Sequence, residues 1–252
     1  MRSILASDQE WPQQLDSLEI PPTRLFIESS ESDLSVLTAK SIAIVGSRNA
    51  TPYGLRVATE FAAALAESGY TIISGGAFGI DAAAHRGALS VGGKTVVVLA
   101  GGVDCPYPMA HSNLFIDASK NGALISEHPA GTPSLKHNFL ERNRIIAGLA
   151  FGTLIVEAAF KSGAIRTALD TVKLLRPVMA IPGPISSPLS AGVNRLIAER
   201  VAELVVSSWE IEEIVGSYGQ SGQLMLGADG MITPCQTQSN QPQIFGQGLS
   251  LL

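Results

Sequence analysis

The stretch EHPAGTPSLKHNFLERNRIIAGLAFGTLIVE, residues 127–157, gathers Lys136, His137, Asn138, Phe139, Arg142, Asn143 and Arg144 around a single acid, Glu141, just ahead of an apolar run. Guanidinium, ammonium and amide donors beside an aromatic face are the groups that hold phosphates and stack nucleobases. Plainer roles exist for each part. Arg142 and Arg144 can cap or solvate a surface helix, and Phe139 taken alone is as readily a core aromatic as a stacking platform. Its position between Lys136 and Arg142, three residues from each, is what favours stacking.

Three Gly- or Ser-containing loops could supply the rest of an anion site. Gly46, Ser47 and Arg48 follow an apolar run and offer small residues for close approach plus one guanidinium, which suits a phosphate. The segment SGGAFGID, 74–81, again frees backbone amides to face an anion, and Asp81 can simply hold that loop. It is not a GxGxxG fingerprint, and no acid stands about twenty residues beyond the first Gly-rich turn, so a nicotinamide dinucleotide is not expected. In the third loop, Lys161 to Thr167, Ser162 can act as N-cap of a helix expected over 164–174. The same helix start, with Gly163, Arg166 and Thr167, can equally receive a phosphate, and both roles can hold together.

Catalytic machinery is harder to find. His85, His111, His128 and His137 stand at no diagnostic spacing from a serine or cysteine nucleophile. Asp81, Asp104, Glu127 and Glu157 could converge at strand ends, but loop position alone is weak support for acid–base work. Cys105 and Cys235 form no CxxC or Cys/His pattern, so neither a disulfide framework nor a metal site is expected, and no cofactor is implied.

The elements that must position these residues follow from patterning. The chain has 252 residues, 46% hydrophobic and 15% charged, with a net charge of -5. That is a core-rich composition and argues against a broad cationic surface that coats nucleic acid, while leaving room for a focused basic pocket. No apolar run approaches a membrane span and no signal-peptide pattern opens the chain, so a cytoplasmic protein is expected. Strand-like runs at 42–46, 71–74, 95–100, 123–126, 153–157 and 178–181 alternate with helical patterns. Near-continuous apolar strands of this kind predict an α/β, Rossmann-like fold with a mostly parallel sheet covered by helices on both faces. Residues 1–38, broken by Pro12, Pro21 and Pro22, read as an N-terminal arm, 39–216 as the Rossmann-like domain, and 217–252 as a flexible low-complexity tail.

The order of GSR (46–48), GID (79–81), GGVDCPYP, ISEHP, RNRIIAGL, VEA, SGAIRTA, IPG and GVNRLI resembles the DprA/Smf family of DNA-processing proteins over residues 11–215. The resemblance implies a homodimeric binding protein, not an enzyme, that holds and protects incoming single-stranded DNA and helps load the RecA recombinase in natural transformation. It also implies a pocket made by Arg48, Lys136, Phe139, Ser162, Gly163 and Thr167. Together with the residue-level reading, the candidate DNA-binding set is Gly46, Ser47, Arg48, Lys136, Phe139, Arg142, Asn143, Arg144, Ser162, Gly163, Arg166 and Thr167. Departures from the family pattern fall at Ala164 and Arg166, where a hydroxyl is lost and a cation gained, and at Arg200. Compared with many members, no amino-terminal helical domain or carboxy-terminal winged helix is expected. Two alternatives stay open. One is a nucleotide-sensing module of the same superfamily. The other is a phosphoribohydrolase acting on nucleoside monophosphates, of whose motif Gly152, Thr153 and Glu157 give a partial echo.

Overall fold

The computed structural model describes residues 1–222, with α7 as its last element, so the tail expected from 217 lies largely outside the described residues. Strands β1 (Arg2–Leu5), β2 (Arg24–Glu28), β3 (Ser41–Val45), β4 (Thr71–Ser74), β5 (Thr95–Val98), β6 (Gly122–Ser126), β7 (Gly152–Ile155), β8 (Val178–Ala180) and β9 (Glu203–Leu204) form one nine-stranded sheet. The helices are α1 (Pro52–Glu67), α2 (Ile80–Ser90), α3 (Ser112–Lys120), α4 (Lys136–Leu149), α5 (Gly163–Lys173), α6 (Ala191–Ala198) and α7 (Ser208–Gly222).

The strand order is β1-β2-β6-β5-β4-β3-β7-β8-β9, parallel from β6 to β9. This is the mostly parallel α/β sheet expected. Successive residues of β3 feed opposite faces: Ala43 and Val45 pack into one core cluster with α4, α5 and α6, whereas Ile42 and Ile44 pack into the other with α1, α2 and α7. Burial on both faces explains why the central strands read as continuous apolar runs.

The segment expected to be an arm is built into the sheet. β1 pairs antiparallel with β2, and β2 antiparallel with β6. Ile4, Trp11, Leu15, Leu25 and Ile27 belong to the same core cluster as Val96 and Ile125. The cause lies in β2, RLFIE, whose Leu25 and Ile27 face one side and whose Phe26 packs against the cluster on the other. Intervening prolines leave such short strands at a sheet edge intact.

β3 is flanked by β4 on one side and β7 on the other, so the chain leaves the C-terminal ends of β3 and β7 in diverging directions. In open parallel sheets this reversal of strand order opens a crevice beyond the strand ends, where ligands bind.

Candidate nucleic-acid interface

A cleft of about 700 Å³ occupies that crevice. Its walls combine Val45 at the end of β3 with Gly46 to Arg48, Ala77 and Asp81 after β4, Tyr107 after β5, Ser134 and the helix α4, and Ala159, Ser162, Gly163, Ala164 and Thr167 around the start of α5. Of the twelve candidate residues, Gly46, Ser47, Arg48, Lys136, Phe139, Arg142, Asn143, Ser162, Gly163 and Thr167 line this one cleft, and Arg144 and Arg166 do not.

Helical geometry sorts the basic cluster. On α4, Lys136, Phe139 and Asn143 stand at spacings of three and four and share the cleft-facing side. Arg144 lies on a different face, where its guanidinium donates to both oxygens of Glu127 at 2.7 and 2.8 Å. Arg166 extends along α5, its Nε donating to Asp170 at 3.1 and 3.3 Å. Arg48 and Lys136 are exposed at the cleft rim. The carbon of the Arg48 guanidinium sits 5.0 Å from the centroid of the Phe139 ring, and Tyr107 meets that ring edge-on at 5.9 Å.

Arg142 has a different environment from a surface cation. It is 5% exposed at the cleft floor and donates to the Val98 carbonyl, and its Nε has no partner. Gly75 makes this possible: a side chain there would occupy the space that the guanidinium fills. Burial lowers the Arg142 pKa to about 10, with the Asp81 charge opposing the shift. Asp81 is likewise buried, and desolvation holds its carboxyl above the usual carboxylate range while Arg142, the Ala77 amide and Arg48 pull it down.

The Ser47–Arg48 loop is fixed from below. Gly79 takes φ 77° at the start of α2 and lies against the Ser47 and Arg48 carbonyls, where a Cβ would collide with them. The Ile80 amide donates to the Ser47 carbonyl at 3.1 Å, and the Ser47 amide donates to the Glu157 carbonyl at 2.6 Å. Across the cleft, the α5 start is tied to α4 by the Asn143 amide, which donates to the Gly163 carbonyl at 3.2 Å. Ser162 holds the N-cap position, but its hydroxyl makes no capping bond and is buried without a partner. The helix begins one residue earlier than expected, at Gly163.

The four carboxylates do not converge. Asp81 lies in the cleft, Asp104 accepts from the Gly131 amide, and Glu127 binds Arg144. Glu157 accepts from the Thr51 amide at 2.8 Å and the Thr51 hydroxyl at 2.6 Å, so it anchors the residue that caps α1. Among the described residues no group of three or more His, Cys, Asp or Glu is placed to hold a metal ion. No described helix is long and apolar enough to cross a membrane.

Tyr107 is the site residue that sequence reasoning missed. It is 51% exposed and belongs to GGVDCPYP, where an aromatic between two prolines just past a strand end was the available signal.

The profile of the family described as DNA recombination-mediator protein A matches residues 2–217. The chain is 46% identical over 187 residues to the putative DNA processing protein DprA of Mycobacterium tuberculosis, covering 74% of this chain and 48% of that protein. It therefore spans about half the length of that relative. The solved DNA processing protein A of Streptococcus pneumoniae superposes with a TM-score of 0.80 at 36% identity, covering 84% of this chain and 73% of that one. DNA processing protein A of Helicobacter pylori, solved for its single-stranded DNA binding mode, gives a TM-score of 0.76 at 26% identity, with 88% and 97% covered. Fold, motif order and profile agree, and the chain belongs to the DNA recombination-mediator protein A (DprA/Smf) family.

Proposed function

We propose that this domain binds single-stranded DNA and, as a homodimer, acts as a recombination mediator that passes the strand to the RecA recombinase. The observation that carries the binding role is the meeting of Arg48, Lys136 and Phe139 in one cleft at the point where the strand order reverses. Arg48 and Lys136 take backbone phosphates at the rim, and the α5 start offers its backbone amides to another. Phe139 and Tyr107 supply the stacking surface that a single strand, but not a duplex, can reach. Arg142 and Asp81 act from the floor by holding the cleft's shape. The -5 net charge keeps binding local to this pocket.

The geometry gives little support to a glycosidic-bond hydrolase. A catalytic carboxylate must reach the bond it cleaves, and Glu157 is 4% exposed with both oxygens engaged by Thr51. Recognition is of a polymer, with no cofactor.

Fluorescence anisotropy of a labelled single-stranded oligonucleotide at two salt concentrations, beside a duplex, tests the proposal. Single-strand preference is expected, with a log–log salt slope of about -0.7 per phosphate engaged. Arg48→Ala and Lys136→Ala each flatten that slope. Unchanged affinity in both variants removes the pocket from the account, and equal binding of duplex removes the stacking role.

A further inference from the structure

The glycine-rich loop after β4 carries one residue that the cleft leaves out. Ala77 and Asp81 line the cleft, whereas Phe78 between them stands outside it and is 46% exposed. A single exposed phenylalanine is ordinary on a protein surface. This one is held with unusual firmness. Gly76 and Gly79 on either side take φ 69° and 77°, and neither has room for a side chain: a Cβ at Gly76 would meet Phe115 and Val97, and one at Gly79 the Ser47 and Arg48 carbonyls. The His111 ring lies 4.7 Å from the Phe78 ring in a T-shaped contact, and it is itself buried, its Nδ1 donating to the Gly76 carbonyl at 3.0 Å. Such a neighbour covers at most one face of the phenyl ring, and among the described residues no core cluster includes Phe78. The loop thus presents a fixed aromatic surface to solvent, and little ordering remains to be done when a ligand lands on it.

The position of the ring is as telling as its rigidity. Gly79 lies against the Ser47 and Arg48 carbonyls, so Phe78 is one Cα step, about 3.8 Å, from that contact. From there the Arg48 side chain reaches to within 5.0 Å of the Phe139 centroid. Phe78 and Phe139 therefore stand at the two ends of Arg48, on opposite layers of the fold: Phe139 on α4, which covers the sheet face fed by Ala43 and Val45, and Phe78 just before α2, which covers the face fed by Ile42 and Ile44. Beyond Phe78 a groove of about 460 Å³ runs between α2 and α3, with His111 in its wall. The groove holds Arg86, which is exposed and in no ion pair among the described residues, and the Asn113 amide. Its acid, Asp117, is paired with Lys120 at 3.6 Å.

We propose that Phe78 is a second base-stacking platform, and Arg86 a phosphate contact, on a single-strand path that leaves the cleft over Arg48 and continues along the α2–α3 groove. This rests on the single-stranded DNA reading of the cleft and lengthens its site. A phenyl face stacks any base, so the extension adds affinity without sequence preference.

Anisotropy of the full chain with labelled oligo-dT of increasing length tests the path. Wild type gains affinity as the oligomer outgrows the cleft. Phe78→Ala and Phe78→Leu both remove the ring, while leucine keeps apolar cover over His111. Each weakens the long oligomers about 5-fold or more, the low end of one base stack, and leaves the shortest oligomer that wild type binds unaffected. Phe78→Trp keeps wild-type affinity at every length. Arg86→Ala reduces the log–log salt slope by about 0.7 for the long oligomers alone, and an unchanged slope takes the groove out of the path. Equal affinity of Phe78→Leu and wild type at every length, with Arg48→Ala still weakening all of them, overturns the platform and leaves the cleft intact. A loss of one size at the shortest and longest lengths also overturns it, because Phe78 then acts only through the Arg48 loop. Failure of wild type to bind at any length overturns the cleft reading and the path with it.

Discussion

Replacing Phe139 by alanine, with and without Arg48 present, measures whether a base displaces the guanidinium that covers the ring. In the free protein the Arg48 guanidinium carbon lies 5.0 Å from the Phe139 centroid at an exposed site. Such a contact is worth about 0.5–1 kcal/mol. A base stacked on the same ring contributes about 1–3 kcal/mol. If the base takes the face that Arg48 now covers, the net contribution of Phe139 falls to about 0.5–2 kcal/mol, so Phe139→Ala weakens binding about 2- to 30-fold. In an Arg48→Ala background the face is bare and the same substitution forfeits the full stacking energy. The two costs then differ by about 2- to 5-fold, a coupling that a double-mutant cycle reads directly. Anisotropy titrations of the four proteins at several salt concentrations supply the numbers, and the salt slope provides an internal check. Phe139→Ala leaves the slope unchanged, whereas Arg48→Ala reduces it by about 0.7. An equal or smaller cost of Phe139→Ala in the Arg48→Ala background refutes displacement, and means that guanidinium and base sandwich the ring.

Three further outcomes concern the frame around the cleft. His85 is fully buried, and burial, followed by the Arg142, His111 and Arg86 charges, lowers its pKa from 6.5 to about 3. Between those values the unfolded chain holds a proton that the folded chain lacks, so stability is complete above about pH 6.5 and falls on acidification by up to about 1.4 kcal/mol per pH unit. Asp81, with its carboxyl held above the usual range, works in the opposite direction at the acid end. Urea unfolding at pH 7, 6 and 5 shows the slope, and His85→Gln reduces it. Gly79→Ala forces a Cβ against the Ser47 and Arg48 carbonyls at a positive φ, costing about 1–3 kcal/mol in urea unfolding and weakening single-strand binding. Arg176 donates to the carbonyls of Ala147, Gly148 and Ala150 at 2.9, 2.6 and 2.6 Å, closing the C-terminal end of α4. Arg176→Ala leaves those carbonyls unsatisfied, lowers stability by about 1–3 kcal/mol, and speeds hydrogen exchange in the last turn of α4.

The central strands were legible because burial on both faces leaves only apolar residues, and β4 falls on the same residues in sequence and structure. The edge strands were not, since β1 alternates exposed Ser3 and Leu5 positions with a lone buried Ile4 and offers no continuous run. In the site, Lys136 and Phe139 were legible as helix neighbours. Arg144 was drawn into the candidate set by closeness in sequence, although two residues along a helix from Arg142 is nearly the opposite side. The burial of Arg142 depends on the missing side chain at Gly75, a contact between segments far apart in the chain, which no local pattern carries. Tyr107 reaches Phe139 by the same kind of long-range approach.

The walls of the cleft come from 45–48, 77–81, Tyr107, 134–146 and 159–167, segments joined across the sheet in which β3 pairs with β7 more than a hundred residues further along the chain. The complete cleft therefore exists only once this long-range pairing has formed. Any ligand that fills the cleft acts on the native state alone. At a hundred times its dissociation constant it adds about 2.7 kcal/mol to the stability of the entire sheet, edge strands included. On the proposed reading, the melting temperature of the domain becomes a gauge of how much single strand the cleft holds.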